Sequence, residues 1–226
     1  MLLHIPNVLT ADELQFCRAT VESAAWADGA ITAGTQSGQV KNNRQLPEDL
    51  PESIRAREVV LAALKRNALF FSAALPKKIY PPLFNRYDGA ANSFGNHIDN
   101  AIRGKAHPDW VRTDLSMTLF LTEPDEYDGG ELVMDELFGE QRIKLPAGDM
   151  ILYPSSSVHR VEPVTRGSRI CMFTWLESLV RATEQRRVLF DLDLSIVGLR
   201  GEAQDGADLV RLTGCYHNLL RMWADS

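Results

Sequence analysis

His97 and Asp99 stand two residues apart in the stretch Phe94-Gly95-Asn96-His97-Ile98-Asp99. On an extended backbone, residues i and i+2 point to the same side, so an imidazole and a carboxylate converge on one point. A second imidazole, for which His159 is the candidate, would complete a face of two histidines and one carboxylate. Such a face leaves about three of the positions around an octahedral ferrous ion open, the arrangement that an iron-dependent oxygenase uses. Arg169 follows His159 by ten residues, across a Pro163-to-Gly167 stretch that reads as a hairpin. That hairpin would return Arg169 beside His159 and into the same cavity. Alternation sends Arg169, Cys171 and Phe173 to one face of the strand and Ile170, Met172 and Thr174 to the other. A guanidinium among apolar neighbours is costly to bury without an anion, and a dicarboxylate cosubstrate would supply one through a bidentate pair. The other histidines have no convergent partner. His4 reads as a surface residue near the terminus, His107 as solvated beside Pro108, and His217 as half-buried packing beside Tyr216.

The elements that must position these groups follow from hydrophobic period and turn residues. After a short edge strand over residues 1–9, Thr10 and Glu13 form a capping box for a helix over about 11–25. Pro51 opens a helical pattern that continues to Leu75, broken near Asn67. Between them, Lys41-Asn42-Asn43-Arg44-Gln45 is dense in amides. It is either a solvated surface loop or a segment folded over the site, where Lys41, Asn43 and Gln45 could contact substrate. After Pro76 the pattern turns to short strands: Ile79–Tyr87, Ser116–Leu121, Glu131–Met134, Gln141–Lys144, Asp149–Tyr153, Ser157–Val161 and Arg169–Leu176. Turns such as Asp128-Gly129-Gly130 and Arg166-Gly167-Ser168 separate them. This spacing predicts an antiparallel sandwich or barrel, with Asn100–Arg112 as a polar, mobile connection. Helical periodicity returns from Glu177, breaks over Gly198–Asp208 and resumes over Leu209–Trp223. The division expected is an N-terminal helical region over 1–76, a β domain over 77–178 and a helical extension over 179–226. The apolar residues of the last helix either pack on the core or form a homodimer contact.

Composition narrows the class. The 226 residues suit one domain with an appendage, and the net charge of −6, without a basic run, argues against nucleic acid as a partner. No apolar run approaches the roughly 20 residues of a membrane span. The N-terminus lacks a signal-peptide pattern, and three dispersed cysteines fit reduced thiols in the cytoplasm.

The ordered set Arg86-Tyr87-Asp88-Gly89, His97-Ile98-Asp99, Asp128-Gly129-Gly130-Glu131-Leu132, Gly148-Asp149, His159 and Arg169 resembles the prolyl/lysyl-hydroxylase group of Fe(II)- and 2-oxoglutarate-dependent dioxygenases, in particular the bacterial PKHD-type hydroxylases. Val40–Leu46 and the tail Leu212–Leu220 extend the resemblance over most of the chain. It implies a double-stranded β-helix, a jelly roll, within a mainly β fold flanked by helices. It implies Fe(II) held by His97, Asp99 and His159, and 2-oxoglutarate held at its distal carboxylate by Arg169. Tyr87 matches a tyrosine of the cosubstrate pocket, although residue type alone also fits an ordinary core aromatic. Where some prolyl hydroxylases carry a second pocket tyrosine, this chain has Phe120, which cannot hydrogen-bond, so Thr118 or Ser116 on the same strand face is the expected replacement. The products would be succinate, CO2 and a hydroxylated peptidyl or small-molecule substrate, with ascorbate as reductant. The rival is a metal-binding jelly roll that senses iron or oxygen without turnover, and Arg169 argues against it because a sensor needs no cosubstrate clamp.

Overall fold

The computed structural model describes residues 2–32, 37–104, 106–202 and 206–225. Part of the small polar stretch at 33–39 lies outside them. The strands are β1 (Leu3–Ile5), β2 (Ala27–Asp28), β3 (Lys41–Asn42), β4 (Arg44–Gln45), β5 (Pro76–Ile79), β6 (Leu83–Tyr87), β7 (Ser93–His97), β8 (Ile102–Arg103), β9 (Val111–Arg112), β10 (Leu115–Phe120), β11 (Asp128–Gly129), β12 (Leu132–Glu136), β13 (Gly139–Ile143), β14 (Met150–Pro154), β15 (Val158–Val161), β16 (Val164–Arg166) and β17 (Arg169–Ser178). The helices are α1 (Ala11–Glu22), α2 (Pro51–Arg66), α3 (Ala68–Ala74), α4 (Thr183–Glu202) and α5 (Ala207–Trp223).

Two antiparallel sheets face each other. The larger runs β1-β14-β10-β17-β6-β4-β2, with β5 also on β17; the smaller runs β13-β12-β15-β7-β3. Residues of both, Tyr87, Phe120 and Cys171 from one and Leu132, Met134 and Val161 from the other, close a shared core. The outer face of the larger sheet carries Phe84, Met117, Leu119, Ile170 and Met172 against the helices. The predicted alternation of β17 therefore holds, with Arg169 and Cys171 facing inward.

Helix α1 starts where the capping box places it: Thr10 N donates to Glu13 Oε2 at 2.9 Å and Glu13 N to Thr10 Oγ1 at 3.3 Å. Helix α2 has Pro51 in its first turn and buries Ser53, Ala56, Val60, Ala63 and Leu64 along one face. Cys17 and Val21 of α1 join the same core, where each fully buried Val or Leu contributes about 1.5–3 kcal/mol. Asn67 divides α2 from α3 and caps the latter through Phe70 N at 2.8 Å. At the other end, Leu219, Leu220 and Trp223 of α5 pack around Leu75, Val180 and Leu189, while Met222 is exposed.

Several expectations are corrected. Ile79–Tyr87 is not one strand, because Pro81 and Pro82 offer no N–H to a ladder and part β5 from β6. The stretch Asn100–Arg112 is not featureless, since it contains the β8–β9 ribbon. Helix α4 begins at Thr183, after β17 has run on to Ser178, and it passes through Gly198 to Glu202. His217 is exposed rather than half-buried. Most consequential, Pro163–Gly167 does not return the chain beside β15. Strand β16 pairs with β11 instead, and β17 joins the opposite sheet. Arg169 thus approaches from the far wall.

Candidate metal centre and cavity

His97 and His159 lie directly opposite each other on the paired strands β7 and β15. One face of the smaller sheet thereby presents both imidazoles, with ring centroids 4.2 Å apart. A bulge between His159 and Val161 resets the register, as bulges near sites often do. Each ring is held in the same way. His97 Nδ1 faces the Gly95 carbonyl at 2.8 Å and His159 Nδ1 the Ser157 carbonyl at 3.0 Å. A carbonyl only accepts, so Nδ1 carries the proton in both, and both Nε2 lone pairs are left for a ligand. Phe94 stacks on His97 with centroids 3.6 Å apart. Gly95 permits the approach of the neighbouring strand, since a Cβ there would stand 2.9 Å from Val40 Cβ.

Asp99 follows the end of β7. Its Oδ2 accepts from Ser116 Oγ at 2.7 Å and lies 3.8 Å from His159 Nε2. Ser116 Oγ also meets Ser155 Oγ at 2.7 Å. One donor atom from each of His97, Asp99 and His159 lies within 4.8 Å of the others. Burial, reinforced by the charge of His159, lowers the His97 pKa to about 4, so this imidazole is neutral near pH 7, the form that binds metal. Two imidazoles, each held in one tautomer with its Nε2 free of the backbone, and a carboxylate match the ligand set of a ferrous ion with open positions.

The opposite wall is the inner face of the larger sheet, and between the walls lies a cavity of about 710 Å³, its open mouth included. His97, Asp99, His159, Tyr87, Thr118 and Arg169 all line it. Strand β10 turns Met117 and Leu119 to the helices and Ser116 and Thr118 to the cavity. Arg169 is only 1% exposed. Tyr87 and Phe120 each sit with ring centroid 5.2 Å from its guanidinium carbon, and its Nε has no hydrogen-bond partner. Its pKa lies above the ordinary value: burial opposes the charge, but the Cys171 thiol and the hydroxyls of Tyr127, Tyr87 and Tyr153 outweigh it. Burial in turn pushes Tyr87 up to about 12 and raises Tyr127, Tyr153 and Cys171. All four are neutral near pH 7, so none is a counter-anion. A buried guanidinium with an unmatched N–H is the partner that an anionic cosubstrate needs.

Sequence reasoning missed several lining residues. Tyr153 sits inside the apolar run Met150-Ile151-Leu152-Tyr153, where nothing in the period marks an inward face. Its ring lies edge-on to His159 with centroids 5.3 Å apart. It brings a second tyrosine hydroxyl to the cavity from β14, whereas Phe120 packs over Arg169. Arg103 arrives on the unforeseen β8–β9 ribbon and stacks 4.0 Å above the Trp175 ring. The Lys41–Gln45 segment is not a solvated loop. Strand β3 pairs with β7 and β4 with β6, so it straps one sheet to the other. Asn43, between them, is buried in the cavity wall. Gly130, with φ +68°, does more than turn the chain, since a Cβ there would lie 3.1 Å from Arg169 Cδ and 2.8 Å from Val164 Cγ2. His4 and Asp149 serve the fold: His4 Nε2 meets Asp149 Oδ2 at 2.7 Å, and Asn7 N donates to Asp149 Oδ1 at 2.8 Å.

Comparison with known proteins agrees with this geometry. Residues 82–177 match the 2OG-Fe(II) oxygenase superfamily and residues 184–225 the PKHD-type hydroxylase C-terminal domain. PKHD-type hydroxylases of Variovorax paradoxus and Saccharophagus degradans are 57% and 55% identical, each over 100% of both chains. Among solved structures, a prolyl-4-hydroxylase from Pseudomonas putida aligns with TM-score 0.52 at 19% identity, over 78% of this chain and 92% of its own. A prolyl hydroxylase from Trichoplax adhaerens aligns with TM-score 0.54 at 16% identity, over 83% and 86%. These two likenesses establish the jelly-roll fold. With full-length identity to named relatives and a His-Asp-His cluster where the superfamily match lies, this chain belongs to the PKHD-type hydroxylase family of 2-oxoglutarate- and iron(II)-dependent oxygenases.

Proposed function

We propose that His97, Asp99 and His159 hold the Fe(II) of this dioxygenase, and that Arg169 pairs with the distal carboxylate of 2-oxoglutarate while Tyr87 and Thr118 line its pocket. The observation that carries this reading is Arg169: a guanidinium sealed in the wall, without a carboxylate among the described groups that act on it, facing a cavity whose opposite wall holds the three ligand side chains. Bound iron and 2-oxoglutarate supply the oxidation, in which O2 converts the cosubstrate to succinate and CO2 and a substrate C–H to C–OH. The protein supplies position and protonation state. The Gly95 and Ser157 carbonyls keep both imidazoles in one tautomer. Ser116 fixes one oxygen of Asp99. Tyr87, hydrogen-bonded to Asn85 Nδ2 at 3.4 Å, keeps its proton and can donate it to a carboxylate. Burial of Arg169 excludes water from the pair it would form, which strengthens that pair.

We further propose a peptidyl or small-molecule substrate entering beside Ile98 and Asn100, a cytoplasmic setting, ascorbate as the reductant that keeps the metal ferrous, and no nucleic-acid or membrane partner. A homodimer through α5 is the proposed alternative to a monomer. Among the described residues, no helix is long and apolar enough to cross a membrane. The test is succinate release from 2-oxoglutarate with Fe(II), for wild type and Arg169→Ala. Turnover in the wild type that the variant loses is the expected result. Absence of turnover in both, with tight iron binding retained, would favour the sensor.

A further inference from the structure

Strands β4, β6 and β17 lie side by side in the larger sheet. Arg44 pairs with Arg86, Gln45 with Asn85, and Tyr87 with Arg169. Asn43, Asn85, Tyr87 and Arg169 all line the cavity, whereas Arg44 and Arg86 meet Asp88 outside that lining. The alternation of the two strands thus turns both asparagines and the tyrosine inward together. Asn85 Nδ2 donates to the Tyr87 hydroxyl at 3.4 Å. Burial pushes the Tyr87 pKa up to about 12, while the Arg169 charge and then the Asn43 amide pull it down. An amide lowers the pKa of a phenol through its N–H side, which favours the phenolate, so Asn43 also turns Nδ2 towards the Tyr87 oxygen. The contact is loose, because neither polar atom of this 2% exposed amide closes a hydrogen bond. Gly29, which follows β2, sets the amide this way. A Cβ there would stand 1.9 Å from Asn43 Oδ1 and 3.0 Å from its Cγ. The amide oxygen therefore rests on a bare Cα and the nitrogen is turned away from it. The Gly29 N–H donates to the Asn43 carbonyl at 2.9 Å and holds the two segments together. A phenol oxygen has two lone pairs and one proton. With N–H groups directed at the lone pairs from the β4 side and from Asn85, the Tyr87 proton is left to point into the cavity, where its cross-strand neighbour is Arg169.

We propose that Asn43 and Asn85 are positioning residues that aim the Tyr87 proton at the distal carboxylate beside Arg169, and that Gly29 seats the Asn43 amide for this role. This deepens the site proposed above and rests on that reading. Neither asparagine touches the cosubstrate; both act through Tyr87. A hydroxyl whose proton is already aimed donates without first being turned, so less ordering is needed on binding. Donation by Tyr87 makes its oxygen a better acceptor. The loose Asn43 contact then tightens as the carboxylate arrives, which offsets the cost of a buried amide left open.

The test uses the whole protein, loaded with Fe(II) without oxygen. Titration calorimetry gives its affinities for 2-oxoglutarate and for 2-oxopentanoate, which carries a methyl group in place of the distal carboxylate. Asn43→Leu and Asn85→Leu should each lower the preference for 2-oxoglutarate by at least about fivefold, as for a misdirected hydrogen bond to a charged group. Affinity for 2-oxopentanoate should stay within about twofold, because that ligand has nothing for Tyr87 to donate to. Gly29→Ala, outside the cavity lining, should lower the preference in the same way, and it replaces Asn43→Leu if that variant does not fold. In a Tyr87→Phe background, where the proton is gone, the same changes should alter the preference by less than about twofold. A preference unchanged by Asn43→Leu, or by Gly29→Ala in its place, overturns the proposal. So does a fall of full size in the Tyr87→Phe background, because the asparagine would then act without the hydroxyl. Equal weakening of both ligands overturns it too, since a merely structural role does that. The controls separate the two levels: a preference lost in Arg169→Ala but untouched by Asn43→Leu removes this inference alone, and a wild type without any preference removes the underlying reading as well.

Discussion

The two ends of the cavity each hold arginine among aromatics, yet they are built differently. Arg169 is 1% exposed, emerges from a ten-residue strand at the middle of the larger sheet, and is walled by Tyr87, Phe120 and Tyr127. Arg103 is half-buried on a two-residue strand of a separate ribbon and rests on one ring. A position with many packed neighbours is fixed before anything binds, which suits a cosubstrate that is the same in every turnover. A side chain on a short ribbon can adjust, which suits the changing contacts of substrate entry and product release. The rigid scaffold thus lies at the end proposed to hold iron and 2-oxoglutarate, and the mouth is left to lighter elements.

If the rigid end carries the chemistry, damage there is felt first. His159→Ala should lower succinate formation by at least about a thousandfold and abolish stoichiometric iron binding in a metal titration; bound iron with retained turnover would move the centre elsewhere. Ser116→Ala removes the hydrogen bond that orients Asp99 and should weaken metal affinity about 10–100-fold, with far-ultraviolet dichroism unchanged. An unaltered affinity would show that Ser116 serves only the Ser155 contact. Gly130→Ala places a Cβ against Arg169 and Val164 at positive φ, costing about 1–3 kcal/mol. Thermal unfolding and the KM for 2-oxoglutarate should both worsen; a lower Tm with unchanged KM would uncouple Gly130 from the clamp. Thr10→Ala, at the remote α1 cap, should cost about 1 kcal/mol, lower Tm by about 2–4 °C and leave KM alone. A changed KM there would show that the remote cap is coupled to the rigid end through the helices.

The same contrast governs what could be read from the sequence. The His97–Asp99 pair was legible because a strand repeats every two residues, and Arg169 because an inward arginine needs an anion. The jelly roll followed from turn residues separating short strands. The partner sheet of Arg169 was not legible. Pro163–Gly167 has hairpin composition, and only the competing pairing of β16 with β11 shows that it crosses between sheets. Tyr153 was hidden because its run is apolar at every position and buried on both sides. Ser116 and Thr118 reverse the usual pattern, with polar residues inward and apolar ones towards the helices, because the interior is a cavity. Arg103 was lost in a polar segment whose two-residue strands are too short to show a period.

The most direct test is a double-mutant cycle between a residue and a functional group. Affinity for the iron-loaded enzyme would be measured for 2-oxoglutarate and for 2-oxopentanoate, which lacks the distal carboxylate, in wild type and Arg169→Ala. The wild type should prefer 2-oxoglutarate by at least about thirtyfold, matching the roughly 2 kcal/mol or more of a desolvated charge pair, and the variant should bind both within about threefold. A preference that persists undiminished in the variant would place the distal carboxylate elsewhere and contradict the account.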